Sequence, residues 1–143
     1  MAIAAADRAA EYLGIETKNS PLAWVRAAER GLPVTKLESF AKRVAPDDTR
    51  FKYSIVSKAT FARRKDAKPA RLSKEESERL MRIVQTFSFA EEVWGDLDSA
   101  VRFMSSPHAL LEGQRPWDVV VGSEMGGRLV EEILGRLAYG TAA

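Results

Sequence analysis

Apolar residues return every three or four positions along most of the chain, and alternating runs of the kind that build strands are scarce, so the pattern predicts an all-α protein. Ala2 to Leu13 reads as a first helix with Ile3, Ala6, Ala10 and Leu13 on one side, ended by Gly14. Ser20 is placed to cap a second helix with Pro21 at its first position, Leu22, Val25 and Ala28 inward, and Gly31 as its stop. Thr35 is placed to cap a third, whose buried stripe is Leu37, Phe40, Ala41 and Val44 before Pro46. Asp47 to Ser54 reads as a short fourth helix with Phe51, and Ile55 just beyond its end, inward.

Ser57 is a good N-cap, and Val56 before it and Phe61 four residues after it are spaced for a hydrophobic staple, which fixes where the next helix starts. With Phe61 pointing inward, Ala59, Thr60 and Arg63 face out, flanked by Lys58 and Arg64. "KDAKPARLS" then lacks an apolar stripe and contains Pro69, so residues 66–72 read as a linker, dividing the chain into residues 1–68 and 69–143. Beyond it, Ser73 and Glu76 match a capping box, and Leu80, Ile83, Val84, Phe87, Ala90, Val93 and Trp94 form a wide apolar face that runs to Gly95. A helix starting at Asp96 or Asp98, with Leu97, Val101 and Met104 inward, is broken by Ser106-Pro107. "HALLEGQRPWDVVVGS" reads as a pair of turns around Gly113 and Pro116. Ser123 then caps a last helix lined by Leu129, Val130, Ile133, Leu134 and Leu137 and closed by Gly140.

The chain has 143 residues, enough for one well-formed core or two small ones, and no cysteine. Disulfides, thiolate catalysis and cysteine-type zinc sites are thereby excluded, and a cytoplasmic location fits. "MAIAAADRAAEYLG" is interrupted by Asp7, Arg8 and Glu11 before a hydrophobic region of signal-peptide length can form, so secretion is not expected. No window approaches the roughly 18 apolar residues of a membrane helix, so no membrane partner is expected either.

Charge is unevenly spread. Residues 1–49 hold seven basic and seven acidic side chains, residues 50–71 eight basic and one acidic, residues 72–143 seven basic and twelve acidic. Such asymmetry points to a polyanion for the middle segment and a different partner for the end. The basic stretch "SIVSKATFARRK" has two readings: a solvated charged face, or the second helix of a helix-turn-helix motif. On the second reading Ser57, Lys58, Thr60, Arg63, Arg64 and Lys65 face DNA, with Thr60 and Arg63 nearest base edges and Lys58, Arg64 and Lys65 nearest phosphates.

Catalysis finds no footing. His108 is the only histidine and has no patterned serine or carboxylate nearby, so an exposed or capping role is expected. Glu75-Glu76, Glu91-Glu92 and Glu131-Glu132 are adjacent pairs whose side chains diverge on a helix, and they read as solvent-facing helix support. "GSEMGG" lacks the Gly-Lys-Ser/Thr ending of a phosphate loop; Gly126, Gly127 and Gly135 read instead as places where a neighbouring backbone or subunit approaches closely. The tail "GRLAYGTAA" is either a frayed terminus or a small tyrosine-bearing end able to enter a partner's cleft.

From Arg71 to Gly140 the run "RLSKEESERLMRIV…AEEVWGD…A…PHALLEGQRPWDVV…G…VEEILGRLAYG" resembles the toxin-binding domain of the Xre/MbcA/ParS antitoxin family, and "IVSKATFARRK" looks like the end of the Xre-type helix-turn-helix found in the same family. The match spans about seventy residues, and its weight lies in the joint spacing of Leu72-Ser73, Glu75-Glu76-Ser77, Arg79, Arg82, Gly95, Pro107, Gly113, Pro116, Leu134, Arg136 and Gly140. The resemblance implies a non-enzymatic, cofactor-free antitoxin of the RES–Xre type: an N-terminal Xre-like helix-turn-helix bundle that binds its own operator DNA, followed by a helical toxin-binding domain. Such a protein neutralises a RES-domain toxin that depletes NAD, and a homodimer is expected on a palindromic operator. The family's C-terminal end approaches the toxin's active-site entrance, which carries a toxin-binding role onto Arg136, Leu137, Tyr139 and Gly140, with Pro116 and Trp117 structural. The competing reading is a stand-alone transcriptional regulator whose C-terminal domain only dimerises.

Overall fold

The computed structural model describes residues 2–140, with side chains from Ala5 onward, so the expected inward Ile3 side chain and the small residues 141–143 of the tail lie outside the described residues. Among the described residues the chain is all-helical, and its residue pairing outside helices is a single antiparallel bridge, Pro33 with Arg71. Its helices are α1 (Ala2–Leu13), α2 (Ala23–Arg30), α3 (Val34–Val44), α4 (Thr49–Ile55), α5 (Lys58–Asp66), α6 (Lys74–Trp94), α7 (Leu97–Ser105), α8 (Pro116–Gly122) and α9 (Glu124–Ala138), with a 3-10 turn at Ala109–Leu111 before α8. They form two compact units: an N-terminal unit of residues 10–81, and a C-terminal unit of residues 82 onward together with the residues up to 9.

In the N-terminal unit, Leu13, Leu37, Phe40, Val44, Phe51, Ile55, Phe61 and Leu80 are buried. Phe40 is the aromatic centre, edge-on to Tyr12 at 5.4 Å and tilted to Phe51 at 6.1 Å. Three helix starts follow local chemistry. Asp48 accepts from the Arg50 N–H at 3.0 Å to open α4, Ser57 accepts from the Thr60 N–H at 3.3 Å to open α5, and Val56 and Phe61 are both buried as a staple requires. At α6 the capping box is complete: Ser73 Oγ accepts from the Glu76 N–H at 3.1 Å and Glu76 Oε1 accepts from the Ser73 N–H at 2.8 Å.

Two other starts differ from expectation. Ser20 does cap a turn, accepting from the Leu22 N–H, but α2 begins only at Ala23, because Pro21 and Leu22 are used up in that turn. Thr35 is not a cap: the cap position is two residues earlier, at an extended Pro33, and α3 starts at Val34, whose N–H is taken by the Ala70 carbonyl. The inward faces shift too. Leu22 and Val25 are exposed, and α2 turns Ala23, Ala27 and Ala28 to the core; on α1 the buried positions are Ala5, Ala9, Ala10 and Leu13, with Ala6 exposed.

Residues 70–72 are bound to the turn between α2 and α3. The Leu72 N–H donates to the Leu32 carbonyl at 2.8 Å, and Arg71 Nη1 donates to the Gly31 carbonyl at 2.7 Å. Gly31 sits at φ +85°, and a Cβ there would lie 2.2 Å from the Leu72 carbonyl oxygen, so the crossing needs glycine.

The C-terminal unit buries Ile83, Val84, Phe87, Ala90, Ala100, Met104, Trp117, Val120, Val130 and Leu134, with Phe87 stacked on Trp117 at 5.5 Å. Asp96 opens α7 by accepting from the Ser99 N–H at 2.7 Å. Where two turns were expected, the second is the helix α8: Pro116 occupies its first turn and Trp117 and Val120 anchor it inward. Ser123 caps α9, accepting from the Gly126 N–H at 2.9 Å, and α8 packs on α9 across that corner. Close approach explains Gly126, whose Cβ would stand 2.0 Å from the Val119 carbonyl oxygen, but not Gly135, around which there is open space.

Candidate functional site

The α4–α5 corner consists of a seven-residue helix, the two residues Val56 and Ser57, and a nine-residue helix. Ile55, Val56 and Phe61 are buried beneath it, which turns Lys58, Ala59 and Arg63 to solvent and leaves Thr60 half-buried at the edge. Ser57 is exposed, but its hydroxyl oxygen is engaged as the cap of α5. Lys52 of α4 places its ammonium 4.3 Å from the centre of the Phe61 ring, adding positive charge beneath the same corner.

Two of the expected phosphate-facing cations pair with carboxylates of the same unit, Arg64 in a part-buried grip and Lys65 in a contact that leaves the lysine side chain 58% exposed. Arg64 grips Glu76 through Nε–Oε1 at 3.1 Å and Nη2–Oε2 at 3.2 Å, and the Lys65 ammonium lies 3.4 Å from Glu38. Glu76 is therefore not the solvent-facing helix support that its place in an adjacent pair implied. Burial alone raises its carboxyl, but the Arg64 hydrogen bond, the bond from the Ser73 N–H and the Arg64 charge outweigh it, so the pKa is lowered from the usual 4.5. A carboxylate held below its unfolded value stabilises the fold above that value and loses the contribution as pH falls through the folded pKa. The unfolding midpoint of the wild type is expected to drop between pH 5 and pH 3 more steeply than that of Glu76→Gln, as read by thermal melts across the series; parallel curves would contradict it.

Arg79, three residues further along α6, donates to the Ile55 carbonyl at the end of α4. Neither contact is legible in the sequence, because residues 64 and 76, or 55 and 79, are brought together only by tertiary folding. Glu76 and Arg79 do stand out as three apart on one helix face.

In the C-terminal unit, Arg82 donates from Nε to the Val120 carbonyl at 2.8 Å and from Nη2 to the Val121 carbonyl at 3.0 Å, closing the last turn of α8, and Gly127 leaves room for its stem. His108 is a cap: its Nδ1 accepts from the Leu110 N–H at 3.1 Å, and its ring packs edge-on against Phe103. Among the described residues no group of histidine and carboxylate side chains is placed to hold a metal ion.

The outer face of α9 carries Met125, Leu129, Glu132, Arg136 and Tyr139 at steps of three and four, so they form one ridge. Met125 is 69% exposed, Leu129 47% and Tyr139 85%. Leu129, expected inward, thus belongs to this ridge, and Met125 is an addition to it that the apolar count alone did not single out. Leu137 is half-buried beside the ridge, Arg136 is exposed on it, and Gly140 at φ +72° bends the chain just past Tyr139.

Residues 23–85, which hold α2 to α5 and the first half of α6, match the antitoxin Xre-like helix-turn-helix domain. Residues 89–140, from the end of α6 through α9, match the antitoxin Xre/MbcA/ParS C-terminal toxin-binding domain. A comparison with curated proteins found no match. The α4–α5 corner falls within the first of these domains and the α9 ridge within the second, and the chain belongs to the Xre/MbcA/ParS antitoxin family.

Proposed function

We propose that this antitoxin neutralises a RES-domain toxin that depletes NAD, by docking the α9 ridge on the toxin and placing the Tyr139-Gly140 end at the entrance of its active site. The observation that carries the reading is the ridge itself. A methionine, a leucine and a tyrosine at 85% exposure are aligned with Glu132 and Arg136 at the end of the toxin-binding domain, where an aromatic ring adds contact area at low entropic cost. The excess of acidic side chains in residues 82–143, nine against five basic, favours a toxin surface of positive charge. The RES identity of the toxin is supported by the landmark spacing from Leu72 to Gly140.

The same protein represses its own operator in the cytoplasm. Residues 1–68 supply the DNA contacts, residues 69–143 the toxin contacts, and a homodimer presents two α5 helices to a palindromic site. On each, Arg63 and Thr60 read base edges while Lys58 and Lys65 meet phosphates, with Ser57 at the helix start. No catalytic step is assigned to the chain.

Affinity purification of the full chain co-produced with the product of the adjacent reading frame tests the partner. Stable co-elution of that product is expected. A full chain that binds its promoter but elutes without the neighbouring product would instead establish a stand-alone regulator.

A further inference from the structure

We propose that Glu76 and Arg79, at the start of α6, are positioning residues for the DNA-reading helix, and that Arg64 acts through Glu76 rather than on a phosphate. The inference rests on the reading of α5 as the operator-facing helix. The corner that must be held is intrinsically soft: α4 has seven residues and α5 nine, and isolated helices shorter than about 12–15 residues are marginal in water. Their mutual angle is therefore set from outside, and α6 contacts both sides of the turn from one face.

On one side, Arg79 donates to the Ile55 carbonyl, the last residue of α4, where the helix leaves carbonyl groups without intrahelical partners and where its dipole favours a cation. On the other, Glu76 takes the Arg64 guanidinium of α5 through two roughly parallel bonds, the arrangement that fixes direction as well as distance. The carboxylate cannot swing, because Oε1 also closes the capping box on the Ser73 N–H. The pair is shielded, its side chains 30% and 13% exposed, so salt screens it less than an ion pair on the open surface. A guanidinium neutralised in this way adds little to the field felt by a phosphate, and the salt-dependent share of operator binding falls to Lys58 and to Lys65, whose contact with Glu38 is exposed and readily screened.

The test uses the full-length protein and a duplex spanning its own promoter, with binding followed by fluorescence anisotropy over a range of salt concentrations. Glu76→Gln keeps a capping-box acceptor and so keeps α6 started. Arg64→Ala and Glu76→Gln are each expected to weaken binding about tenfold, with the double variant no weaker than either single one. The slope of log affinity against log salt stays at the wild-type value in all three. Arg79→Met loses affinity, and Arg79→Lys, which can still donate to the Ile55 carbonyl, retains it.

If Arg64 meets a phosphate instead, Arg64→Ala flattens the slope by about 0.9, as one lost phosphate contact should. Glu76→Gln then binds as tightly as wild type or more tightly, and either result overturns the proposal, as does wild-type affinity in Arg79→Met. Arg63→Ala separates the underlying reading. Unchanged binding in that variant sinks α5 as the base-reading helix, whereas failure of the Arg64–Glu76 cycle with Arg63→Ala impaired sinks only the positioning role.

Discussion

Gly126→Ala is expected to destabilise the C-terminal unit by about 3 kcal/mol or more, enough to abolish neutralisation at growth temperature. The added methyl has nowhere to go: it would stand 2.0 Å from the Val119 carbonyl oxygen and 2.9 Å from its carbon, both main-chain atoms of α8. Relief requires α9 to move off α8, which breaks the Ser123 cap and uncovers Val120, Trp117 and Val130. Set against a typical stability of about 5–15 kcal/mol, such a loss shifts most molecules toward unfolding under mild stress. Gly135→Ala is the matched control. It lies in the same helix with nothing within 4 Å, so the added methyl is expected to stabilise by about 0.5–1 kcal/mol through helix propensity. Thermal unfolding followed by circular dichroism reads both. Equal melting temperatures in the two variants would show that the close α8–α9 crossing is wrong.

Removing residues 139–143 is expected to release toxicity completely while leaving the unit folded. Tyr139 closes the end of α9 yet is 85% exposed, so its loss removes almost no buried surface and little stability. If its ring fills a pocket at the toxin's entrance, it has the character of an interface hot spot, and Tyr139→Ala alone weakens the complex by about 2 kcal/mol, roughly thirtyfold. Leu129→Ala, on the same ridge, is expected to weaken docking with the plug still in place. Growth of cells producing the toxin with each variant gives the order of effects: wild type protects, Leu129→Ala protects partly, and the truncation fails. Full protection by a folded truncation would refute the plug while leaving docking through α9 standing.

What could be read from the sequence was whatever chemistry is local. Ser57 before Phe61, the Ser73–Glu76 box and Ser123 before a leucine-rich run each place donor and acceptor within four residues, and each cap is present. The all-α class followed from periodicity for the same reason. Periodicity fixes the spacing of a face but not which side is covered, so it points Leu22, Val25 and Leu129 inward, although the core is met by alanines on α2 and by Val130, Ile133 and Leu134 on α9. The helix α8 is not legible in the sequence because Val119, Val120 and Val121 have weak helix preference; tertiary packing of Trp117 and Val120 overrides that preference. The grips of Glu76 on Arg64 and of Arg79 on Ile55 join residues 12 and 24 positions apart, a distance over which no spacing rule operates. At the candidate sites, the exposure of Arg63, Lys58 and Tyr139 is legible because no apolar stripe claims them; the grip of Arg64 on Glu76 is not, because its partner lies on another helix.

The most direct measurement is the cellular NAD pool when the product of the adjacent reading frame is expressed with and without this chain. The pool is expected to collapse with that product alone and to hold at the uninduced level when the full chain is co-produced. A collapse that persists while the folded chain co-purifies with the product would contradict neutralisation by occlusion.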